Sequence, residues 1–434
     1  MQYLPNADIL FLLKMNIPLL FHIDLTKRER GGRLSKPLIE VKNVNKVYGS
    51  SPAKALELIA QGESNETIRK LTKQSVGVRG ASFTVDRGEI FVIMGLSGSG
   101  KSTLLRCINR LHKVSSGEVW VDGQNICTLS TKELNEVRRK KLAMVFQKFA
   151  LLPHRTVLEN VAYGLEIQHI PKEQRKEKAM ETIQLVGLDG WENSYPHSLS
   201  GGMQQRVGLA RALANDAEIL LMDEPFSALD PLIRQDMQEE LMDLQKTLRK
   251  TILFITHDLD EALKLGDRIA LMKDGKIVQI GQPEDILLSP EDEYVERFTK
   301  NADRSKALTA ASVMVRPRSI VYPKDGLRMA LREMENHKIS GIFVIDKDGV
   351  LLGHLSAEQA SELNEQGERD LFTKMDQELK QVLPETPLHD VLESIAHSRL
   401  PIAVTDEQGR LKGVLIKGAV LAGLAGSQKE GAAL

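Results

Sequence analysis

Residues 95–102 read Gly-Leu-Ser-Gly-Ser-Gly-Lys-Ser, a spacing that is typical of a loop that binds phosphate groups. Glycines at both ends let the backbone turn tightly, so that successive N–H groups point at phosphate oxygens. Lys101 can neutralise the phosphates, and the Ser102 hydroxyl can hold Mg²⁺. A strand-like run at residues 90–94 precedes the loop and an amphipathic run follows from Ser102, which places the phosphates at a helix N-terminus. The loop indicates a nucleotide but not what is done with it.

A second segment whose residues could take part in catalysis lies at positions 219–225, which read Ile-Leu-Leu-Met-Asp-Glu-Pro. The four apolar residues before Asp223 are typical of a buried parallel strand, and open α/β sheets bind ligands at the C-terminal ends of such strands. Asp223 can therefore reach Mg²⁺, directly or through water. Glu224 follows at once, so its carboxylate can lie beside the γ-phosphate and polarise a water molecule as the candidate general base.

Upstream of that strand, residues 199–206 read Leu-Ser-Gly-Gly-Met-Gln-Gln-Arg. The turn at Ser200 opens onto a helical run at residues 205–214. It therefore offers a hydroxyl group, bare backbone N–H groups and a helix N-terminus to a further anion.

In this order, the three segments resemble the ATPase subunit of ATP-binding cassette (ABC) transporters, and the resemblance covers residues 38 to about 290. It implies an α/β fold: a P-loop NTPase cassette with a RecA-like α/β core, an antiparallel β subdomain, and a helical subdomain at about residues 130–200. It also implies a head-to-tail dimer of two copies with two ATP molecules at the seam. The residues expected to contact ATP held by the other copy are Ser200, Gly201, Gly202 and Gln204.

The same resemblance gives roles to further single residues. Gln147 matches the residue that senses Mg²⁺ and water, Ser227 and Asp230 match the loop that crosses the dimer seam, and Tyr48 matches the aromatic residue that stacks on adenine. His257 matches the imidazole that hydrogen-bonds the γ-phosphate and holds Glu224 and the water in line. The expected ATP contacts are thus Tyr48, Gly95, Leu96, Ser97, Gly98, Ser99, Gly100, Lys101, Ser102 and Thr103; the Mg²⁺ ligands are Ser102, Gln147 and Asp223; and the catalytic residues are Glu224, His257 and Gln147.

Each of these single residues also has an ordinary structural interpretation. Taken alone, Gln147 and His257 are more often surface or satisfied polar residues, and only their place in the ordered set favours catalysis. Tyr48 could also be a half-buried strand residue, although its place in the family pattern favours the adenine contact. In many cassettes the next strand follows this position almost at once, whereas residues 50–78 intervene here.

That interval predicts two short amphipathic helices, at residues 53–62 and 64–72, the second with a capping signature. Such an insertion resembles the glycine betaine/proline uptake branch of the family, as do the run Arg-Arg-Lys-Lys at 138–141 and the segment Ser-Ala-Leu-Asp-Pro-Leu-Ile-Arg at 227–234. Apart from marking the branch, the insertion has the simpler interpretation of a solvated surface hairpin.

Beyond a polar linker at residues 291–310, two similar blocks occupy residues 311–368 and 369–425. In each, a helical run precedes a β-branched strand, an Asp/Gly turn and a second strand. The blocks resemble a tandem pair of cystathionine-β-synthase (CBS) domains of α+β fold, which commonly regulate their host protein. The pattern that holds adenosine is incomplete, because Gln359 follows Ser356 where an acidic residue is usual and Ile416 stands where a hydroxyl belongs.

The function of the CBS pair is therefore open at the sequence level. Related tails are associated with sensing ionic strength or, in some members, a cyclic dinucleotide, and a dimer-stabilising role is the simpler alternative. Five cationic residues could respond to salt through screened interactions; they are Lys324, Arg328, Arg332, Lys338 and Lys347.

Composition restricts the remaining choices. The net charge of −1 argues against bulk attraction to nucleic acid, and Cys107 and Cys127 are too few for a disulfide framework and too far apart for a local metal site. Residues 1–36 form an atypical extension whose apolar stretches are too short and too interrupted for a spanning helix. We expect a disordered arm or an over-long start with Met15 as the alternative start, and a peripheral contact with the membrane or the permease is the other interpretation. Residues 426–434 form a tail.

These observations predict a peripheral ATPase subunit at the cytoplasmic face of the plasma membrane. Its expected partners are a second copy of itself, a transmembrane permease that contacts residues 147–165, and indirectly a substrate-binding protein. The expected cargo is glycine betaine, proline or a related quaternary amine. An importer for another solute such as methionine is the nearer alternative, and a soluble cassette ATPase without a transport function is the more distant one.

Overall fold

The structure is a computed structural model that describes residues 36–300, 302–368, 375–398 and 400–425. The extension predicted at residues 1–36, apart from Lys36, and the tail at 426–434 lie outside the described residues. Within the described residues, none of the helices is both long enough and apolar enough to cross a membrane.

A six-stranded sheet forms the centre of the cassette, in the order β10-β9-β3-β8-β7-β6, and a four-stranded sheet with the order β2-β1-β4-β5 lies beside it. The first sheet is parallel except for β10, and the second is antiparallel. The strands are β1 (Ile39–Tyr48), β2 (Ser75–Val85), β3 (Ile90–Met94), β4 (Ser116–Val121), β5 (Gln124–Asn125), β6 (Leu142–Val145), β7 (Ile219–Asp223), β8 (Thr251–Thr256), β9 (Arg268–Lys273) and β10 (Lys276–Gly281).

Helices cover one face of the central sheet, and the four-stranded sheet together with further helices covers the other, which explains why β3, β7 and β8 are buried along their whole length. The helices of the cassette and linker are α1 (Pro52–Ala60), α2 (Asn65–Thr72), α3 (Lys101–Ile108), α4 (Thr131–Lys140), α5 (Val157–Ile167), α6 (Lys172–Leu185), α7 (Gly201–Ala214), α8 (Pro231–Leu248), α9 (Leu259–Leu265), α10 (Pro283–Leu288) and α11 (Glu293–Thr299). The two predicted helices of the insertion are present as α1 and α2, and Ser64 caps α2 by accepting a hydrogen bond from the Thr67 backbone N–H.

The predicted helical range of about 130–200 contains a strand as well as helices. Strand β6 lies within it and pairs in parallel with β7, so residues 142–145 belong to the central sheet rather than to the helical subdomain. The helical layer itself is built from α5, α6 and α7, whose apolar faces meet at Val161, Leu165 and Ile183. A four-residue apolar strand between helical runs cannot be distinguished from buried helix by periodicity alone, which is why the sequence did not reveal it.

The segment predicted as a polar linker is partly a component of the cassette. Val295 on α11 is fully buried in the same core as the central sheet, and Tyr294 and Phe298 pack against that core. The charged residues of α11, which include Glu293 and Arg297, form its exposed face. Helix α11 is therefore amphipathic, and only its outer face has the composition of a linker.

The two CBS blocks each contain a three-stranded sheet, with orders β11-β12-β13 and β14-β15-β16. The blocks pack on one another through Phe343 of the first and Ala403 and Val414 of the second. Their elements are α12 (Ala310–Val313), β11 (Ile320–Val321), α13 (Gly326–His337), β12 (Gly341–Ile345), β13 (Leu351–Ser356), α14 (Ala357–Glu365), β14 (Gln381–Val382), α15 (Leu388–His397), β15 (Ile402–Thr405), β16 (Leu411–Leu415) and α16 (Lys417–Ala425).

Candidate nucleotide-binding site

The predicted phosphate loop joins β3 to α3 at the C-terminal edge of the central sheet. Gly95 has φ 150°, and a Cβ atom there would lie 2.2 Å from the Met272 carbonyl oxygen. Gly100 precedes α3 with φ 104°, and a Cβ atom there would lie 2.2 Å from the Gly77 carbonyl oxygen. Both positions therefore require glycine, since a side chain would be strained and would also collide with neighbouring backbone.

Lys101 lies inside this loop and is only 4% exposed. Its Nζ donates hydrogen bonds to the carbonyl oxygens of Gly95 (2.8 Å) and Leu96 (3.1 Å), and it lies 3.7 Å from Glu224 Oε1. Burial lowers the pKa of Lys101, while Glu224 and Asp223 oppose that decrease. A buried cation of this kind favours an anionic ligand, because a phosphate would compensate the cost of its desolvation.

Ser102 and Asp223 meet directly, although 121 positions separate them in sequence. The Ser102 hydroxyl donates to Asp223 Oδ1 at 2.7 Å, and Asp223 is 5% exposed. A hydroxyl and a carboxylate supply hard oxygen ligands of the kind that Mg²⁺ prefers. Across the described ranges, no group of three or more His, Cys, Asp or Glu side chains could hold a metal. These residues therefore fit an ion that also takes ligands from phosphate groups and water.

Glu224 lies at the centre of the predicted catalytic residues. Its Oε2 accepts a hydrogen bond from Gln147 Nε2 at 3.2 Å and lies 3.1 Å from His257 Nδ1. Ser227 Oγ lies 3.3 Å from the same Gln147 nitrogen and donates to the Glu224 carbonyl oxygen at 3.0 Å. The structure thus brings together four residues from three separate stretches of the sequence.

His257 directly follows β8, and a buried network holds the residues on either side of it. Thr256 Oγ1 donates to Glu261 Oε2 at 2.6 Å and accepts from the Asp258 backbone N–H at 2.9 Å. Gln238 on α8 donates to the other Glu261 oxygen at 3.1 Å. Because Glu261 is 6% exposed, burial raises its pKa, with the hydrogen bond from Thr256 opposing the rise.

Tyr48 ends β1 beside the phosphate loop. Its hydroxyl donates to Thr103 Oγ1 at 3.2 Å, and the Lys46 ammonium lies 5.0 Å from the centre of its ring. Tyr48 is 38% exposed, so part of the residue is accessible to a ligand. This position is compatible with the adenine contact that the sequence predicted.

The motif at Ser200 is separate from the phosphate loop of its own chain. Ser200 caps α7, where its hydroxyl accepts from the Met203 backbone N–H at 3.3 Å. Gln204 Nε2 donates to the carbonyl oxygens of Pro196 and Leu199, each at 3.1 Å. Over the described residues, no hydrogen bond joins Ser200, Gly201, Gly202 or Gln204 to residues 95–103.

Asp230 also serves as a helix cap, because its side chain accepts from the Ile233 backbone N–H at 3.1 Å at the start of α8. A Cβ atom on Gly202 would lie 2.6 Å from Ile233 Cγ2, so α7 and α8 approach closely at this point. Ser200 and Asp230 are both exposed. Their exposure on one chain is compatible with contact to a second copy.

Sequence reasoning missed Arg106, which lies 3.6 Å from Asp223 Oδ2 and adds a cation to the edge of the site. The signal was available: Arg106 follows Ser102 by four residues on α3, and residues at this spacing share one helix face. The buried support from Glu261 and Gln238 was also missed. No local pattern could have revealed that network, since its members come from α8, β8 and α9.

Comparisons with known proteins identify the family of the chain. A family model described as ABC transporter matches residues 78–227, and a model described as CBS domain matches residues 310–360 and 369–426.

Relatives match over nearly their whole length. The chain is 52% identical over 390 residues to the glycine betaine/carnitine transport ATP-binding protein GbuA of Listeria monocytogenes, a match that covers 90% of this chain and 98% of the relative. It is 52% identical over 395 residues to the glycine betaine transport ATP-binding protein OpuAA of Bacillus subtilis, covering 91% and 94%. It is 45% identical over 389 residues to the glycine betaine/proline betaine transport system ATP-binding protein ProV of Escherichia coli, covering 89% and 97%.

These matches extend over the cassette and both C-terminal blocks, so the resemblance first read from the phosphate loop and its partner segments is confirmed. The chain belongs to the ABC transporter family, as an ATP-binding subunit with a C-terminal pair of CBS domains.

Proposed function

We propose that this subunit hydrolyses ATP to drive uptake of glycine betaine or a related quaternary amine. The observation that carries the proposal is the 52% identity to two glycine betaine transport ATP-binding proteins over at least 90% of this chain. Two further relatives, 54% and 52% identical, are named trimethylamine N-oxide transport system ATP-binding proteins. The named solutes share a fully substituted nitrogen, which supports the solute class more than any single member of it.

The proposed hydrolysis uses the residues gathered around Glu224. Lys101 and the backbone N–H groups of residues 95–102 bind the phosphates, and Tyr48 stacks on adenine. Mg²⁺, held by Ser102, Asp223 and Gln147, would supply charge neutralisation on the phosphate oxygens. Glu224 accepts a proton from the attacking water, and His257 fixes that carboxylate in place through the 3.1 Å contact between their side chains.

We also infer that two copies work head to tail. Ser200, Gly201, Gly202 and Gln204 are proposed to contact the ATP bound by the other copy, and Ser227 and Asp230 to line the seam. Ser200 and Gly201 are exposed at the N-terminal end of α7, a helix of fourteen residues whose first backbone N–H groups lack intrahelical acceptors. This arrangement supports anion binding across an interface.

A groove between α4, β6, α5 and α7 is the proposed contact for the permease. It has a volume of about 580 Å³ and overlaps the predicted contact range 147–165. Its wall is mainly apolar, with Phe146, Leu152, Tyr163 and Ile167 among the lining residues. Two basic residues, Arg138 and Arg211, also line it. We propose that it receives a short amphipathic helix from a cytoplasmic loop of the permease, which would hold this subunit at the cytoplasmic face of the membrane.

The groove is coupled to the catalytic residues by a strained loop. Phe149 and Ala150, which follow Gln147 closely, have φ values of 52° and 50°. Arg211 donates to both of their carbonyl oxygens, at 2.9 and 2.6 Å. A helix that enters the groove would therefore press on a segment already held in an uncommon conformation, two residues from a proposed Mg²⁺ ligand.

The CBS pair is proposed to regulate this motor. The five cationic residues named from the sequence are all exposed on the first block. In the same block, Ser356 and Gln359 are engaged with each other in a capping box on α14, which leaves them poorly placed for a ribose.

Replacing the five cations with glutamine should alter the salt response of ATP hydrolysis, and an unchanged response would exclude them. A cyclic dinucleotide, added in a separate series, tests the other candidate regulator.

The central experiment is the ATPase activity of the membrane complex purified through this chain and reconstituted in liposomes. It is measured with and without glycine betaine and its loaded binding protein, with Glu224→Gln as the inactive control. Stimulation by glycine betaine supports both the importer and its solute class. If only methionine or another solute stimulates hydrolysis, the assignment as a transport ATPase is supported and the assignment of glycine betaine as the cargo is rejected. If no membrane protein co-purifies, the soluble-ATPase alternative is favoured instead.

A further inference from the structure

The segment between the cassette and the CBS pair is attached to the cassette by an ion pair. The Lys306 ammonium lies 3.0 Å from Asp260 Oδ2, with Asp303 Oδ2 at 3.7 Å. Asp260 belongs to α9 of the cassette, whereas Lys306 belongs to a 3₁₀ turn at residues 304–306 that follows α11. The contact therefore joins two elements that the sequence separates by forty-six positions.

Asp260 lies in the first turn of α9, three residues after His257. Asp258 caps this helix, and its Oδ1 accepts from the backbone N–H groups of Asp260 (2.9 Å) and Glu261 (3.3 Å). On the other side of His257, Thr256 is bound to Glu261 of the same helix. The backbone of His257 is thus fixed at both ends by α9, and a displacement of α9 moves its imidazole relative to Glu224.

Lys306 is also connected to the CBS pair, through the residues that directly follow it. Leu308, two residues further on, is fully buried in the core of the second block together with Ala310 and Val313. The Leu308 carbonyl oxygen accepts from the Leu388 backbone N–H at 2.8 Å. The Ala307 and Leu308 N–H groups both donate to the Arg304 carbonyl, so this short connection is folded rather than loose.

A second contact attaches the same segment to the cassette. Glu284 on α10 accepts hydrogen bonds from Thr309 Oγ1 at 2.8 Å and Ser312 Oγ at 2.9 Å. This attachment holds α12 to the cassette edge but lies on α10, which carries none of the proposed catalytic residues. Of the two attachments, the one at Asp260 is therefore the one placed to influence hydrolysis.

We propose that the ion pair between Lys306 and Asp260 is a positioning contact, through which the second CBS block sets the position of α9 and hence of His257. The contact acts on hydrolysis rather than on ATP binding, because the phosphate loop and Tyr48 lie on other elements. Both side chains are partly exposed, Lys306 at 36% and Asp260 at 46%, so dissolved salt screens the contact. The proposal rests on the role proposed above for His257.

The test compares charge reversals in the full-length chain at saturating ATP. Lys306→Glu and Asp260→Lys should each lower kcat by about two- to thirtyfold, the range found for residues that couple two sites. KM for ATP should stay within about twofold of wild type. The double variant exchanges the charges and should recover most of kcat. The loss in each single variant should shrink as KCl rises from about 0.05 M to about 0.5 M.

Two controls make the result specific. Arg297→Glu reverses a charge on α11 whose ion pair with Glu293 stays within that helix, and it should leave kcat unchanged. His257→Ala, measured in parallel, tests the role on which the proposal depends. Wild-type turnover in His257→Ala would remove that role and this proposal with it. If His257→Ala is inactive but both single reversals keep the wild-type kcat, or if the double variant is no faster than the slower single variant, the positioning contact alone is refuted.

Discussion

Glu224 and His257 face each other from the ends of two neighbouring parallel strands, with 3.1 Å between Glu224 Oε2 and His257 Nδ1. The backbone of Glu224 contributes to this arrangement because its φ is 47°, in the left-handed region. Its N–H group still donates to the Ile255 carbonyl oxygen at 3.0 Å. A non-glycine residue in such a conformation costs about 1–3 kcal/mol, and the rest of the fold must supply that energy. Here the strained turn directs the carboxylate out of the strand and towards the imidazole.

Replacing Glu224 with glutamine tests the proposed base. The amide has nearly the same shape and can keep the contacts to Gln147 and His257, but it cannot accept a proton from water at neutral pH. We expect kcat for ATP hydrolysis to fall by about 10²- to 10⁴-fold while ATP affinity is retained. Single-turnover hydrolysis and equilibrium nucleotide binding measure the two quantities separately.

The control for this variant is Glu181→Gln on α6, which removes one exposed carboxylate from a helix that carries none of the proposed site residues and should leave both quantities unchanged. Turnover at the wild-type rate in Glu224→Gln would reject Glu224 as the base. A loss of ATP binding would instead assign the carboxylate a role in ground-state binding.

Tyr48 allows the stacking contribution to be separated from its hydrogen bond. Tyr48→Phe keeps the ring and loses only the 3.2 Å hydrogen bond to Thr103, whereas Tyr48→Ala loses both. Loss of a base-stacking aromatic ring should raise KM for ATP by about tenfold in the alanine variant, with little change in the phenylalanine variant. Steady-state ATPase kinetics measure KM in both variants. An equal increase in KM in the two variants would mean that the hydroxyl group, not the ring, contributes to nucleotide binding.

Much of the nucleotide site could be predicted because each of its motifs is local. The phosphate loop is specified by glycines whose φ values and close backbone contacts exclude other residues, as at Gly95 and Gly100. Asp223 could be placed because a short, fully apolar run ends in a carboxylate, which is the pattern of a buried parallel strand. Such signals depend on neighbours in sequence and can be read without a structure.

Other features depend on contacts between distant segments, and these were not predicted. Tyr294, Val295 and Phe298 lie in a charged stretch, and only the fold shows that they pack on the core of the cassette. Arg106 on α3 lies 3.6 Å from Asp223 at the end of β7, a contact that only the fold creates. The proposed dimer contacts of Ser200 and Asp230 stay predictions. Within one chain both side chains act as helix caps, and these contacts do not indicate a second copy.

The two cysteines should differ in reactivity because the fold buries them to different degrees. Cys107 is fully buried, and burial raises its pKa to about 12. Cys127 is partly buried, and burial also raises its pKa. Since the thiolate is the reactive form, we expect iodoacetamide to label Cys127 slowly and Cys107 at least about a hundredfold more slowly in the native protein than in urea. Mass spectrometry of timed samples measures both rates, and rapid native labelling of Cys107 would contradict its placement in the core.

Glu261 predicts a specific dependence of stability on pH. Burial raises its pKa above the ordinary value of 4.5, with Asp258 adding to the rise, and with Thr256, Gln238 and Arg234 opposing it. The folded state therefore holds this proton more tightly than the unfolded state. The stability associated with the protonated form is fully present below about pH 4.5 and is lost as the pH rises through the folded-state pKa.

Glu261→Gln removes this titration and keeps a side chain that can accept from Thr256. We therefore expect the unfolding free energy of the variant, relative to wild type, to increase from pH 4.5 upward and then level off. The increase should be about 1.4 kcal/mol for each unit by which the pKa is raised. Urea unfolding at a series of pH values measures it, with Glu181→Gln as the control for loss of one negative charge. The unfolding free energy of Glu261→Gln relative to wild type could instead be constant with pH or decrease as the pH rises. Either result would mean that Glu261 does not carry the ionisation cost that its burial implies.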